Sequence, residues 1–177
     1  MNKKDFPTPN FSALAKTIIK DAIIIAEKEA VNFFKESFFN QGFTDTSFQQ
    51  WESRKQPDYR PGGAILTSSG HLRDSIEVAD KTNNSLTIGS YAQYAKIHNE
   101  GGTLNIPITK KSRKYFWYMY KQTNNEKWKW MALSKKNHIL LKFPKRQFIG
   151  ESATLIKLLD TELKKHIEKQ YKNEVMR

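Results

Sequence analysis

The chain has 177 residues, 38% of them apolar and 12% aromatic, with eleven Phe, seven Tyr and four Trp, and its formal net charge is +12. That length suits one domain, and so many rings supply area for a core, which excludes a disordered chain. Cysteine is absent, which excludes disulfides and thiolate metal sites.

Residues 1–9, polar with Pro7 and Pro9, read as a flexible arm. The N-terminus lacks the long apolar core of a secretory signal, and the most apolar stretch, Ile18 to Ala26, is broken by Lys20 and Asp21. It falls short of the ~20 residues of a membrane span. A soluble chain, intracellular when made and without membrane contact, is therefore expected. Asn10 or Ser12 is placed to cap a helix running to about Phe39, with Phe11, Leu14, Ile18, Ala22, Ile25, Phe33 and Phe34 near helical spacing. Asn40-Gln41-Gly42 is the expected stop, with Gly42 free to take a positive φ. Between Gly42 and Gly70 periodicity fails, and an irregular segment holding Trp51, Arg54, Pro57, Tyr59 and Arg60 is expected to order on a partner.

Leu72–Ala79 and Ser85–Gly89 read as two strands joined by a turn at Lys81–Asn84. Ser90 to His98 reads as a short helix capped by Ser90, with Tyr91, Tyr94 and Ile97 on one core-facing side, stopped at Gly101-Gly102. Thr103–Thr109 is a strand with Pro107 marking an edge. Ser112–Thr123 is a helix, Trp128, Trp130 and Met131 sit among lysines, and Asn137–Phe143 is a strand. Glu151 to about Tyr171 is a second clear helix, its acidic first turn matching the helix dipole and Leu155, Leu158 or Leu159, Leu163 and Ile167 on one face. The order gives an α+β class: a long N-terminal helix, a small antiparallel sheet with a short helix, an aromatic basic insertion at about 103–143, and a C-terminal helix, all one domain over 10–177.

Charge is concentrated late in the chain. Residues 61–109 hold three basic groups against four acidic ones, whereas Lys110 to Arg146 holds twelve against Glu126 alone. Excess charge in one segment calls for an anionic neighbour. Lys110, Lys111, Arg113, Lys114, Lys127 and Lys129 can neutralise phosphates while Trp128 and Trp130 stack on bases, so non-specific DNA contact is one reading. The other is a helical hairpin with its aromatics inward and its lysines outward.

Five motifs occur in order: Trp51-Glu52-Ser53-Arg54, then Leu66 to Ile76, then Ile88-Gly89-Ser90, then Tyr94 to Gly102, and last Pro144 to Gly150. Together they resemble the phage virion-morphogenesis, or tail-completion, family over roughly residues 10–170, with 103–143 longer and more aromatic than that family's link. The resemblance implies a subunit made in the bacterial cytoplasm and ending in the virion tail or neck. It further implies self-association, as a ring, and contact with tail-tube, sheath or neck proteins. With no Ser-His-Asp arrangement, metal-ligand spacing or Gly-rich phosphate loop in the sequence, no catalysis, cofactor or metal is expected of it. Trp51, Arg54, Arg73 and Arg146 are the expected assembly contacts. Arg73 and Asp74, being adjacent, read as a surface pair. His98-Asn99-Glu100 superficially resembles a histidine-based nuclease motif, but His71, His98, His138 and His166 show no metal-ligand spacing.

Overall fold

A computed structural model describes residues 10–55, 58 and 60–175. The arm expected for residues 1–9, and Pro57 and Tyr59 of the irregular segment, lie outside the described residues. The first helix, α1 (Phe11–Asn40), opens where the Asn10 side chain accepts from the Ala13 amide at 3.0 Å. That contact satisfies one of the donors a helix leaves unpaired at its start. The helix stops because Gln41, not the glycine after it, takes the left-handed conformation at φ 58°. The Gln41 amide group then locks that turn: its Oε1 accepts from the Ile65 amide at 2.5 Å, and its Nε2 donates to the carbonyls of Phe38 and Ile65. Gly42 is needed for a different reason. A Cβ there would lie 2.5 Å from the Gln49 carbonyl and from the Phe48 ring, across the hairpin of β1 (Gly42–Thr44) and β2 (Phe48–Gln50).

The segment 42–70 is thus partly regular and anchored within the chain. After it, Gly70 at φ 78° leads into the single turn α2 (His71–Asp74), which drops Leu72 into the core before β3 (Ile76–Lys81). β3 pairs antiparallel with β4 (Leu86–Ser90), with a bulge between Val78 and Asp80. Ser90 ends that strand and is no helix cap. Its hydroxyl lies 2.6 Å from the Ser75 hydroxyl and accepts from the Ala92 amide. The short helix begins later, as α3 (Ala95–Glu100). Ala92, before the helix, and Ala95, its first residue, are buried, while Tyr91 (59% exposed) and Tyr94 (43%) face outward, contrary to the core packing their spacing suggested.

Gly101 and Gly102, both at positive φ, turn the chain into β5 (Gly102–Pro107). This strand pairs with β6 (His138–Phe143) over six residues, and between them lie α4 (Lys110–Thr123) and α5 (Glu126–Leu133). The last helix, α6 (Ala153–Val175), begins two residues later than expected, so Glu151 lies outside its first turn. The Ser152 hydroxyl caps it by accepting from the Leu155 amide, and Asp45 from the β1–β2 turn accepts from the Ala153 amide at 2.9 Å. The result is α+β, with its strands in three separate two-stranded ribbons, where one small sheet was expected.

The core gathers on the C-terminal half of α1. Ala30, Phe34 and Phe38 pack with Phe43, Trp51, Leu72, Ile76, Phe148 and Leu155. Phe38 is its hub, 5.4 Å from the Trp51 ring and 5.1 Å from that of Phe148. The N-terminal half of α1 is held instead by α6: the Tyr171 hydroxyl donates to Asp21 Oδ2 at 2.6 Å, and His166 Nε2 lies 3.0 Å from the same oxygen. These bonds, Tyr171 first, hold the Asp21 carboxyl below its ordinary value. A carboxylate so lowered contributes stability that is full above about pH 3.8 and is lost as pH falls through its folded pKa. Asp21→Asn is expected to cost about 1–2 kcal/mol at neutral pH, read from urea midpoints. The variant should also lose less than the parent between pH 4 and 2.

Candidate docking surfaces and the basic arm

The unit between Gly101 and Pro144 supplies its own small core. Phe116 of α4 is buried and stacks on Trp128 of α5, with centroids 6.0 Å apart. Thr109 and Ser112 form a reciprocal capping box at the start of α4. Arg113 staples the hairpin from inside: its Nη1 donates to the carbonyls of Ala132 (2.9 Å) and Ser134 (2.5 Å), and its Nη2 to that of Lys136. All six β5 positions are exposed. The expected hairpin of inward aromatics is therefore realised by Phe116 and in part by Trp128, while Trp130 (65% exposed), Tyr118, Leu133 and Leu140 are exposed.

The proposed phosphate contacts divide along the same line. Lys110, Lys111, Lys114 and Lys127 are exposed, and Lys110, Lys114 and Lys121 recur on one side of α4, opposite Phe116. Lys129 is drawn back to Glu126 (3.3 Å) and over the Tyr120 ring (5.6 Å). Arg113 is occupied by carbonyls, as described. An open groove of about 1230 Å³, walled by Trp130, Met131, Ile139, Leu140 and Leu141, runs along α5 and β6. A second, of about 830 Å³, lies between Ile19, Ile23 and Ile24 of α1 and the Lys81–Asn84 turn.

The four residues expected to contact partners occupy different settings. Arg73 is at the surface, bonded to Asp74 at 2.7 Å and lying 5.5 Å from the Phe39 ring centroid. Trp51 is built into the core, its indole N–H donating to the Gln147 carbonyl at 2.7 Å. Arg54 donates twice to the Gly63 carbonyl and lies 3.4 Å from Asp58, tying the irregular segment down. Arg146 is 8% exposed and donates to the Glu52 carbonyl at 3.0 and 2.8 Å. Burial draws its guanidinium below the ordinary value, with Glu52 opposing that shift and Arg54 adding to it. Any part Trp51 and Arg146 play in assembly thus runs through the surface they shape.

Asn99 was not singled out from sequence, yet it joins the motif around His98 to the last one. Its Oδ1 accepts from the amides of Phe148 (2.9 Å) and Ile149 (3.0 Å), while its Nδ2 donates to the Ile149 carbonyl. Position within the fourth motif marked it; nothing local could show partners fifty residues away. His98 lies between the rings of Tyr94 and Phe143, and burial, then the Arg146 charge, push its imidazole below the ordinary value. Among the described residues no group of three or more His, Asp or Glu is placed to hold a metal ion, and no helix is long and apolar enough to cross a membrane.

Ordered motifs that lock one another's backbone, together with a separate basic arm, define a protein whose shared residues serve architecture. The chain belongs to the phage virion morphogenesis family, whose model matches residues 41–168. The match starts at Gln41, so α1 lies outside it, although the resemblance was expected from about residue 10. No curated protein and no solved structure matches the chain. Its role is accordingly in bacteriophage virion morphogenesis.

Proposed function

We propose that the chain is a non-catalytic structural subunit of the tail-completion type, made in the host cytoplasm and added at the neck or tail end, where copies close into a ring. The observation that carries this reading is unpaired surface in a family member. Three two-stranded ribbons leave strand edges open to a neighbour, and Ile19, Ile24, Trp130, Leu133 and Leu140 are exposed beside open grooves. Repeated heterologous contacts between one such surface and another close into a ring when their rotation permits. On this reading residues 10–177 act as one domain with 103–143 as its insertion, and Arg73, at the surface, meets tail-tube, sheath or neck proteins beside the surface built by Trp51, Arg54 and Arg146. Imaging of purified particles tests it, with several copies expected around the particle axis.

A second reading is favoured by one observation: Lys110–Arg146 carries twelve basic residues and one acid, with the lysines of α4 on its open side. Non-specific contact of this arm with duplex DNA needs only phosphate neutralisation, which releases counterions whatever the base sequence. The two readings are compatible within one particle.

A further inference from the structure

A cleft of about 310 Å³ opens where four of the motifs meet, and its wall holds Arg54, Arg60, Arg146 and His98. Among the described residues Arg146 has no ion-pair partner; its Nε and Nη2 are spent on backbone carbonyls. Arg60 is exposed at the mouth and likewise has no ion pair among them. A guanidinium buried as deeply as Arg146 with no acid in contact, and only the more distant charge of Glu52 in its favour, is stabilised when an anion reaches it.

Two buried polar atoms in the same region also lack hydrogen-bond partners: His98 Nδ1, on the cleft wall, and Thr67 Oγ1, between the lining residues Leu66 and Ser68. Such atoms are rare in native structures, and two together mark a place where a polar group is missing. The rest of the wall sets Ile65, Leu66, Leu72 and Phe143 beside Ser68, Ser69 and Tyr94. Arg146 Nη1 and the exposed guanidinium of Arg60 remain to donate to a carboxylate, and the apolar part of the wall accepts a carbon stem that a hydrated inorganic ion does not bring.

We infer that this cleft is a receptor for a carboxylate on an apolar stem, presented by an acidic segment of a docking protein. The inference deepens the assembly reading and rests on it for the protein source of the carboxylate; the binding chemistry stands on the cleft alone. The test titrates the full ¹⁵N-labelled chain with propionate, inorganic phosphate and chloride at constant ionic strength. Propionate is expected to give saturable shifts of the Arg146 Nε–H and His98 ring signals. Arg60→Gln, at the exposed mouth, should weaken that binding about tenfold, as loss of one charge-assisted contact does. Arg146→Lys, which keeps the charge but removes the Nη1 donor, should weaken it as well. Absence of saturation, equal shifts with chloride, or tighter binding of phosphate than of propionate overturns the inference. Because no assembly is needed for the titration, a chain that binds propionate but forms no ring separates failure of the assembly reading from failure of this one.

Discussion

Replacing Phe148 by alanine is expected to cost about 3–5 kcal/mol, a large fraction of the about 5–15 kcal/mol that holds an ordinary protein folded. Phe148 is 0% exposed, and its ring lies 5.1 Å from that of Phe38, which in turn meets Trp51 at 5.4 Å. Removing it opens a cavity in the aromatic centre that joins α1 to the segment before α6. Its neighbours cannot collapse into the space easily, because backbone bonds hold them: the Phe148 and Ile149 amides are fixed on Asn99, and the Trp51 indole on the Gln147 carbonyl. Urea denaturation followed by tryptophan fluorescence reads the change directly. Phe148→Leu, which keeps most of the volume, should lose much less. A cost below about 1 kcal/mol for the alanine variant contradicts this placement of the core.

The second large effect concerns the arm. Changing Lys110, Lys111, Lys114 and Lys121 to glutamine removes four exposed charges from α4 while leaving Phe116, the capping box and the Arg113 staple in place. If each lysine neutralises one phosphate, the slope of log affinity against log salt becomes shallower by about 3–4, at about 0.9 per contact. Affinity for random duplex DNA at low salt should fall on the order of a hundredfold. Circular dichroism should remain that of the parent, since the substituted side chains are solvated. A parent chain that shows no salt-sensitive shift of duplex DNA would sink the DNA reading and leave the arm as a protein contact.

What sequence revealed and what it hid follow the range of the interactions. α1 and α6 are legible because apolar residues recur at helical spacing, with Asn10 marking the start of α1; α4 is expected only from Ser112, two residues late. β3 and β4 follow from a turn-rich link between two apolar runs, although Leu72–Asp74, expected in the first strand, form part of α2. The β1–β2 hairpin is not legible, since each strand has three residues and Phe48, Gln49 and Gln50 are all exposed, leaving no alternation to read. Ser90 is a good cap by type, but the Ser75 hydroxyl claims it, and the delayed start of α3 turned Tyr91 and Tyr94 outward. The stop of α1 failed in detail for a similar reason: Gln41 tolerates positive φ because its side chain bonds back to Ile65, twenty-four residues away.

The motif residues show the same limit. Their order points to the family, but not to the bonds by which Trp51, Arg54 and Arg146, expected as assembly contacts, engage the chain's own backbone carbonyls. Arg146 and Trp51 find their partners more than ninety positions away, a pairing that no local pattern encodes. The charge of the arm, by contrast, was fully legible, because composition needs no partner to be counted.

The central claim is that copies of this chain are built into the particle as a ring. The most direct measurement is cryo-electron microscopy of purified particles, with this chain's α1–α6 pair and basic arm fitted into the density at the neck and the tail end. A closed ring of identical copies about the particle axis is expected, with the arm of each copy in a fixed orientation. Particles with complete tails and no density for this chain would contradict it.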